Sequence, residues 1–102
     1  MTLPEALQAL RAAILPGLSQ YVCRDVDGLF CPPDAEMVAV FDLHGAVYAH
    51  ARDVAGEVWA ALDAATDGHA YSWSQQKGRT HAEVLAAVDR ALLRAEALEV
   101  RP

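Results

Sequence analysis

Two cysteines, six glycines and five prolines stand among 102 residues, and aromatic side chains make up 7%. So few cysteines exclude a small scaffold stapled by several disulfides. In a reducing compartment Cys23 and Cys31 are expected as free thiols that pack like small hydrophobes. The chain also lacks a GxxxxGK phosphate loop. Basic residues are scarce, eight Lys and Arg against fourteen Asp and Glu, for a formal net charge of -6. Nonspecific nucleic-acid binding draws its free energy from Lys and Arg neutralising phosphates, so a nucleic-acid partner is not expected. No apolar run approaches the roughly 20 residues of a membrane span. The start, Met1-Thr2-Leu3-Pro4-Glu5, carries no basic cluster ahead of an apolar stretch. A cytoplasmic protein, without a membrane partner, is the expectation.

What is present is apolar: 54% of the residues are hydrophobic and 22% charged. That composition specifies a globular chain rather than a disordered one, and its length suits one domain over residues 1–102.

Thr2 and Glu5 have the spacing of a capping box. Leu3, Leu7, Leu10 and Ile14 then share one face of a helix over about residues 3–15, which Pro16-Gly17 ends. Tyr21-Val22-Cys23 and Leu29-Phe30-Cys31 read as short strands around the turn signals of Asp25, Asp27 and Gly28. Met37 to Phe41 reads as a strand, and His44-Gly45 as the turn of a hairpin whose second strand is 46–50. A second helix is expected over 51–65, with Val54, Val58, Ala61, Leu62 and Ala65 as its stripe and Trp59 widening it. Residues 69–74 alternate, which places His69, Tyr71 and Trp73 on one strand face. Thr80 and Glu83 form another capping box, opening a helix to about Ala97 with Val84, Val88, Ala91, Leu92 and Ala95 inward. Leu98 to Val100 reads as an edge strand or a docked tail. These elements predict an α+β fold: a small, mainly antiparallel sheet of three to five strands packed against three helices.

Four groups of residues could carry chemistry. Cys23, Cys31, His44 and His50 give the spacing C-x7-C-x12-H-x5-H, and all four types ligate zinc. Zinc fingers, however, usually pair their cysteines two to four residues apart, and this chain has apolar residues enough to fold without metal. The same residues could supply a Cys–His nucleophile pair, which needs a lowered thiol pKa and an adjacent base. Asp25, Asp27, Asp34 and Glu36 gather carboxylates in one region. As a calcium loop the run fails at Leu29 and Phe30, where oxygen and glycine are needed. A solvated acidic loop, or an acidic contact surface for a basic partner, suits it better. Lys77, Arg79, Thr80 and His81 precede and open the last helix, where free amides and cations could hold an anion.

No nucleophile motif, acid pair or cofactor motif stands out, so no cofactor is expected and the reading leans away from an enzyme. The leading expectation is a non-enzymatic protein-interaction or accessory domain, with a protein partner or a second copy of itself. The alternatives are a small-ligand or anion-binding domain using residues 77–81, and a small structural metal-binding protein.

Overall fold

The computed structural model describes residues 1–20, 23–25, 27–32 and 38–99, the stretch 38–40 by its backbone alone. Its elements in chain order are α1 (Leu3–Ile14), β1 (Cys23–Asp25), β2 (Phe30–Cys31), β3 (Val38–Val40), α2 (Leu43–Ala51), a 3-10 turn (Arg52–Val54), α3 (Ala55–Ala64), α4 (Ala70–Ser74) and α5 (His81–Glu99).

The expected sheet packed against three helices is corrected by this architecture. The fold is mainly helical, and the helices pack on one another. The three short strands form a small sheet in the order β2-β1-β3, antiparallel throughout, beside the helices. Among the described residues, the main buried cluster is drawn from helices, with Leu18 and Phe41 packed against it and Cys23 of β1 buried outside it.

Two segments account for the difference. Asp42 ends the extended stretch of β3, and its side chain accepts from the Gly45 amide at 2.9 Å. That bond makes Asp42 an N-cap, satisfying one of the free amides of a helix start. The run Leu43–Ala51, rich in alanine, therefore continues as α2, and His44-Gly45 lies in its first turn instead of in a hairpin. The second segment is 69–74. Asp67 accepts from the His69 amide at 3.0 Å and Asp63 from the Ala70 amide at 2.8 Å. Two carboxylates thus meet the first amides of α4, and an alternating pattern folds as a short helix. The expected helix over 51–65 divides into the 3-10 turn and α3. At the C-terminal end α5 continues through Leu98 to Glu99, where a strand or docked tail was expected; Val100 lies outside the described residues.

Helix α1 begins at its capping box, with Thr2 and Glu5 exchanging hydrogen bonds. Its inner face, Ala6, Leu7, Leu10 and Ile14, is buried between α2 and α5, its main neighbours. Facing it are Leu43, Ala46, Val47 and Ala51 of α2 and Val84, Val88, Ala91 and Ala95 of α5. Each fully buried Leu, Ile or Val stabilises the fold by about 1.5–3 kcal/mol relative to exposure. The alanines let the helix backbones approach closely.

Polar contacts fix the helices in register. The Arg11 guanidinium pairs with Asp89 at 2.6 Å, joining α1 to α5. His81, at the start of α5, donates through Nε2 to the Ile14 carbonyl at 2.6 Å, at the end of α1. Arg90 donates to the Ala65 carbonyl at 2.8 Å, just past α3. A cation on the last carbonyls of a helix suits its dipole. Gln20 ties the segment after α1 to the end of α4 through the Ser74 carbonyl at 3.4 Å, and to the residues after it through the Gln76 carbonyl at 3.0 Å.

Candidate functional site

Taken in turn, most of the residues singled out in the sequence are engaged with neighbouring groups. At the start of α5, Glu83 accepts from the Thr80 amide at 3.1 Å and the Thr80 hydroxyl at 3.0 Å, and its own amide donates to that hydroxyl at 3.1 Å. Arg79 donates to Glu83 at 2.6 Å, to Gln76 Oε1 at 2.6 Å and to the Trp73 carbonyl at 3.1 Å. Its guanidinium also lies 4.1 Å from the centre of the Trp73 ring. The Glu83 carboxylate therefore occupies the place an external anion would take beside Arg79 and Thr80. These bonds, the Thr80 amide first and Arg79 next, hold the Glu83 pKa below its ordinary value. His81 is turned to α1 by its bond to Ile14. Lys77 is exposed.

Asp25 has a local task. Its carboxylate accepts from the Asp27 amide at 2.9 Å and the Leu29 amide at 3.0 Å. Gly28 follows at φ 80°, a conformation that favours glycine. The turn signals thus mark the tight connection between β1 and β2. Asp27 is exposed; Asp34 and Glu36 lie outside the described residues.

The cysteines and histidines lie in three separate places. Cys23 and Cys31 are cross-strand partners in β1 and β2, both free thiols. The Cys23 thiol donates to Asp42 at 3.5 Å. Burial, more than any neighbouring charge, pushes its pKa up to about 11, the opposite of what an activated nucleophile needs. His44 and His50 are six residues apart on α2. At about 100° per residue that turns them some 240° apart around the helix. His50 meets the Phe41 ring edge-on, with centroids 5.2 Å apart. His44 meets Trp59 and Tyr71. Among the described residues, no three His, Cys, Asp or Glu side chains converge as a metal site would require.

Two further surfaces lie on α3. The first is a corner of aromatic rings. Trp59 and Tyr71 stand nearly perpendicular, 77° apart with centroids separated by 6.2 Å. Beside them lies a cavity of about 260 Å³ lined by Trp59, Asp63, His69, Ala70, Tyr71 and Ser72. Helical geometry explains the grouping: Trp59 and Asp63 are four apart and share a face. Tyr71 and Trp73, expected on one strand face, are two apart on a helix and diverge by about 200°. Tyr71 stays 42% exposed at the corner, while Trp73 is half-buried under Arg79.

The second surface is an apolar groove of about 340 Å³ between α1, α3 and α5. Ala60, Ala61, Ala64, Ala91, Ala95, Leu3 and Leu98 line it, with Glu57 and Arg94 at its rim. The buried stripe of α5 runs 84, 88, 91, 95 and continues to Leu98, which is 55% exposed. On the α3 side the signal lay in the spacing: 57, 60, 61 and 64 make one face of α3, and 59 and 63 another.

Neither a search of curated proteins nor a search of solved structures returned a match. No helix among the described residues is long and apolar enough to cross a membrane. From the first helix to most of the last, residues 1–94 match a family model, and the chain belongs to the family of unknown function DUF6197.

Proposed function

We propose that the protein is a non-enzymatic interaction domain that assembles through the α1/α3/α5 groove, and that the occupant of the groove is a second copy of the same chain. The observation that carries this reading is the makeup of the groove. Its floor is alanine, shallow and apolar, and its edge bears a protruding Leu98. One surface thus offers both a recess and the side chain to fill it.

The rim supports the same occupant. Glu57 on α3 and Arg94 on α5 carry opposite charges on the two banks. In a two-fold contact the same patch meets itself, and each residue finds its complement on the other copy. Two copies arranged so would bring Glu57 of one against Arg94 of the other and seat each Leu98 over the partner's alanines. An apolar centre with a charged rim is the usual anatomy of such contacts. The proposal includes a reducing, cytoplasmic setting, in which Cys23 and Cys31 would stay as free thiols.

Sedimentation equilibrium from micromolar to hundreds of micromolar protein tests the assembly. The wild type is expected to show a monomer–dimer equilibrium. Leu98→Glu should weaken it at least tenfold, because it brings a charge into an apolar contact. Arg94→Glu should do the same, and Glu57→Arg combined with Arg94→Glu should restore much of the association. A wild type that stays monomeric at every concentration overturns the proposal. So does an association that Leu98→Glu and Arg94→Glu leave unchanged.

A further inference from the structure

We propose that the Trp59–Tyr71–Asp63 corner is a binding site for a quaternary ammonium group. This inference is independent of self-association, because the two surfaces occupy different faces of α3. Residues 57, 60, 61 and 64 centre on the groove, whereas 59 and 63 lie about 130° further round the helix.

A quaternary ammonium is bulky, apolar at its surface and positively charged. It cannot donate a conventional hydrogen bond, so it is held by aromatic faces and negative charge, not by directional polar contacts. The corner supplies both. Two large rings meet edge to face at 77°, with 6.2 Å between centroids, and both line the same cavity, so the site offers two differently oriented π systems instead of a single flat platform. His44 contacts both rings, nearly parallel to Trp59 at 6.4 Å and edge-on to Tyr71 at 5.8 Å, and so supports their mutual angle.

The negative charge comes from Asp63, which lines the same cavity. One of its oxygens, Oδ1, accepts from the Ala70 amide at 2.8 Å. That bond fixes the carboxylate, while its second oxygen has no hydrogen-bond partner among the described residues. No Lys or Arg lines the cavity to neutralise it. The net charge of -6 adds a weak, long-range attraction for cations. A cavity of about 260 Å³ has room for a group of this size.

The elements at the site are held from behind. Asp63 joins the end of α3 to the start of α4, and Gln20 ties the end of α4 to the segment after α1. Trp59 packs at the edge of the core. The corner is therefore built into the fold before any ligand arrives, which lowers the ordering cost of binding.

Proton–nitrogen NMR titration of the full chain separates the possibilities, because the indole N–H groups of Trp59 and Trp73 report independently. Tetramethylammonium chloride is the probe, with sodium chloride at matched ionic strength and tert-butanol as the uncharged counterpart. The expected result is a saturable shift of the Trp59 indole and the Ala70 amide, with the Trp73 indole still. Asp63→Asn keeps an oxygen to cap α4 and removes the charge; it should weaken binding at least fivefold. Tyr71→Leu keeps an apolar side chain and removes the π face; it should abolish saturation. Two further arms identify the source of the group: free choline, and a short peptide carrying trimethyl-lysine. Tighter binding of choline assigns a small-molecule ligand, and tighter binding of the peptide assigns a modified protein tail. The proposal is overturned if tetramethylammonium moves neither reporter, if both indoles drift together without saturation, or if tert-butanol binds as well as the cation. It also fails if Asp63→Asn, shown folded by its spectrum, binds with wild-type affinity.

Discussion

At the scale of single residues, the two cysteines show how position decides chemistry. Cys23 and Cys31 face one another across β1 and β2, yet their surroundings differ. Cys23 is buried and donates to Asp42, and burial pushes its pKa up to about 11. Cys31 is half-buried; burial, with the nearby Asp25 charge, raises its pKa as well. Alkylation requires the thiolate. At pH 8 a thiol titrating three units higher is ionised at about one part in a thousand. Iodoacetamide should therefore label Cys31 first and Cys23 at least tenfold more slowly, with both rates followed by mass spectrometry of the intact chain. Equal rates would show that β1 opens readily and that the buried Cys23–Asp42 contact does not persist in solution. The same environment disfavours Cys23 as a nucleophile, since its near neighbour is a carboxylate and not an imidazole.

At the scale of elements, the helices opened by a full capping box were legible, and those opened by a single disguised or distant carboxylate were not. The capping boxes Thr2/Glu5 and Thr80/Glu83 mark the starts of α1 and α5, where exposed side chains and the following amides are three residues apart. The start of α2 depends on Asp42, which the apolar run around it disguised as part of a strand pair. The start of α4 depends on Asp63, seven residues before the amide it caps, a separation no short-range pattern reveals. The candidate sites follow the same division. The loop of Arg79 and Thr80 was visible as charge, but not its closure by Glu83. The Trp59–Tyr71 corner joins two elements, one of them read as a strand, so its face could not be assembled from spacing alone. The Thr80–Glu83 exchange makes a testable statement about pH. The Glu83 pKa is lowered in the folded chain from an ordinary value of 4.5. A carboxyl with a depressed folded-state value stabilises the fold above its unfolded value, and that contribution fades as pH falls through the folded value. Glu83→Gln should therefore lower the urea midpoint at pH 7, and the difference from wild type should shrink below pH 4.5 and vanish in stronger acid. A difference of the same size at pH 7 and pH 3 would mean that the ionised form has no part in holding the start of α5.

At the scale of the whole molecule, stability is unevenly placed. Helix α1 lies between α2 and α5, and Leu7, Leu10 and Ile14 are fully buried there. The sheet lies to one side of this core, and at its outer strand Phe30 is 70% exposed. Its ring meets the Arg24 guanidinium, 4.6 Å from the ring centre. At an exposed site such a contact contributes about 0.5–1 kcal/mol. Truncating a buried leucine removes its transfer free energy and leaves a cavity, a loss of about 2–5 kcal/mol. The two sites therefore make a direct comparison of what the helices and the sheet contribute. Leu10→Ala should lower the unfolding free energy by about 2–5 kcal/mol, and Phe30→Ala by no more than about 1 kcal/mol, both from urea denaturation at neutral pH. Phe30 lines neither the proposed groove nor the corner cavity, so its truncation should leave self-association and tetramethylammonium binding unchanged. A Phe30→Ala loss as large as that of Leu10→Ala would make the sheet an integral part of the folding unit rather than an appendage of the helical core.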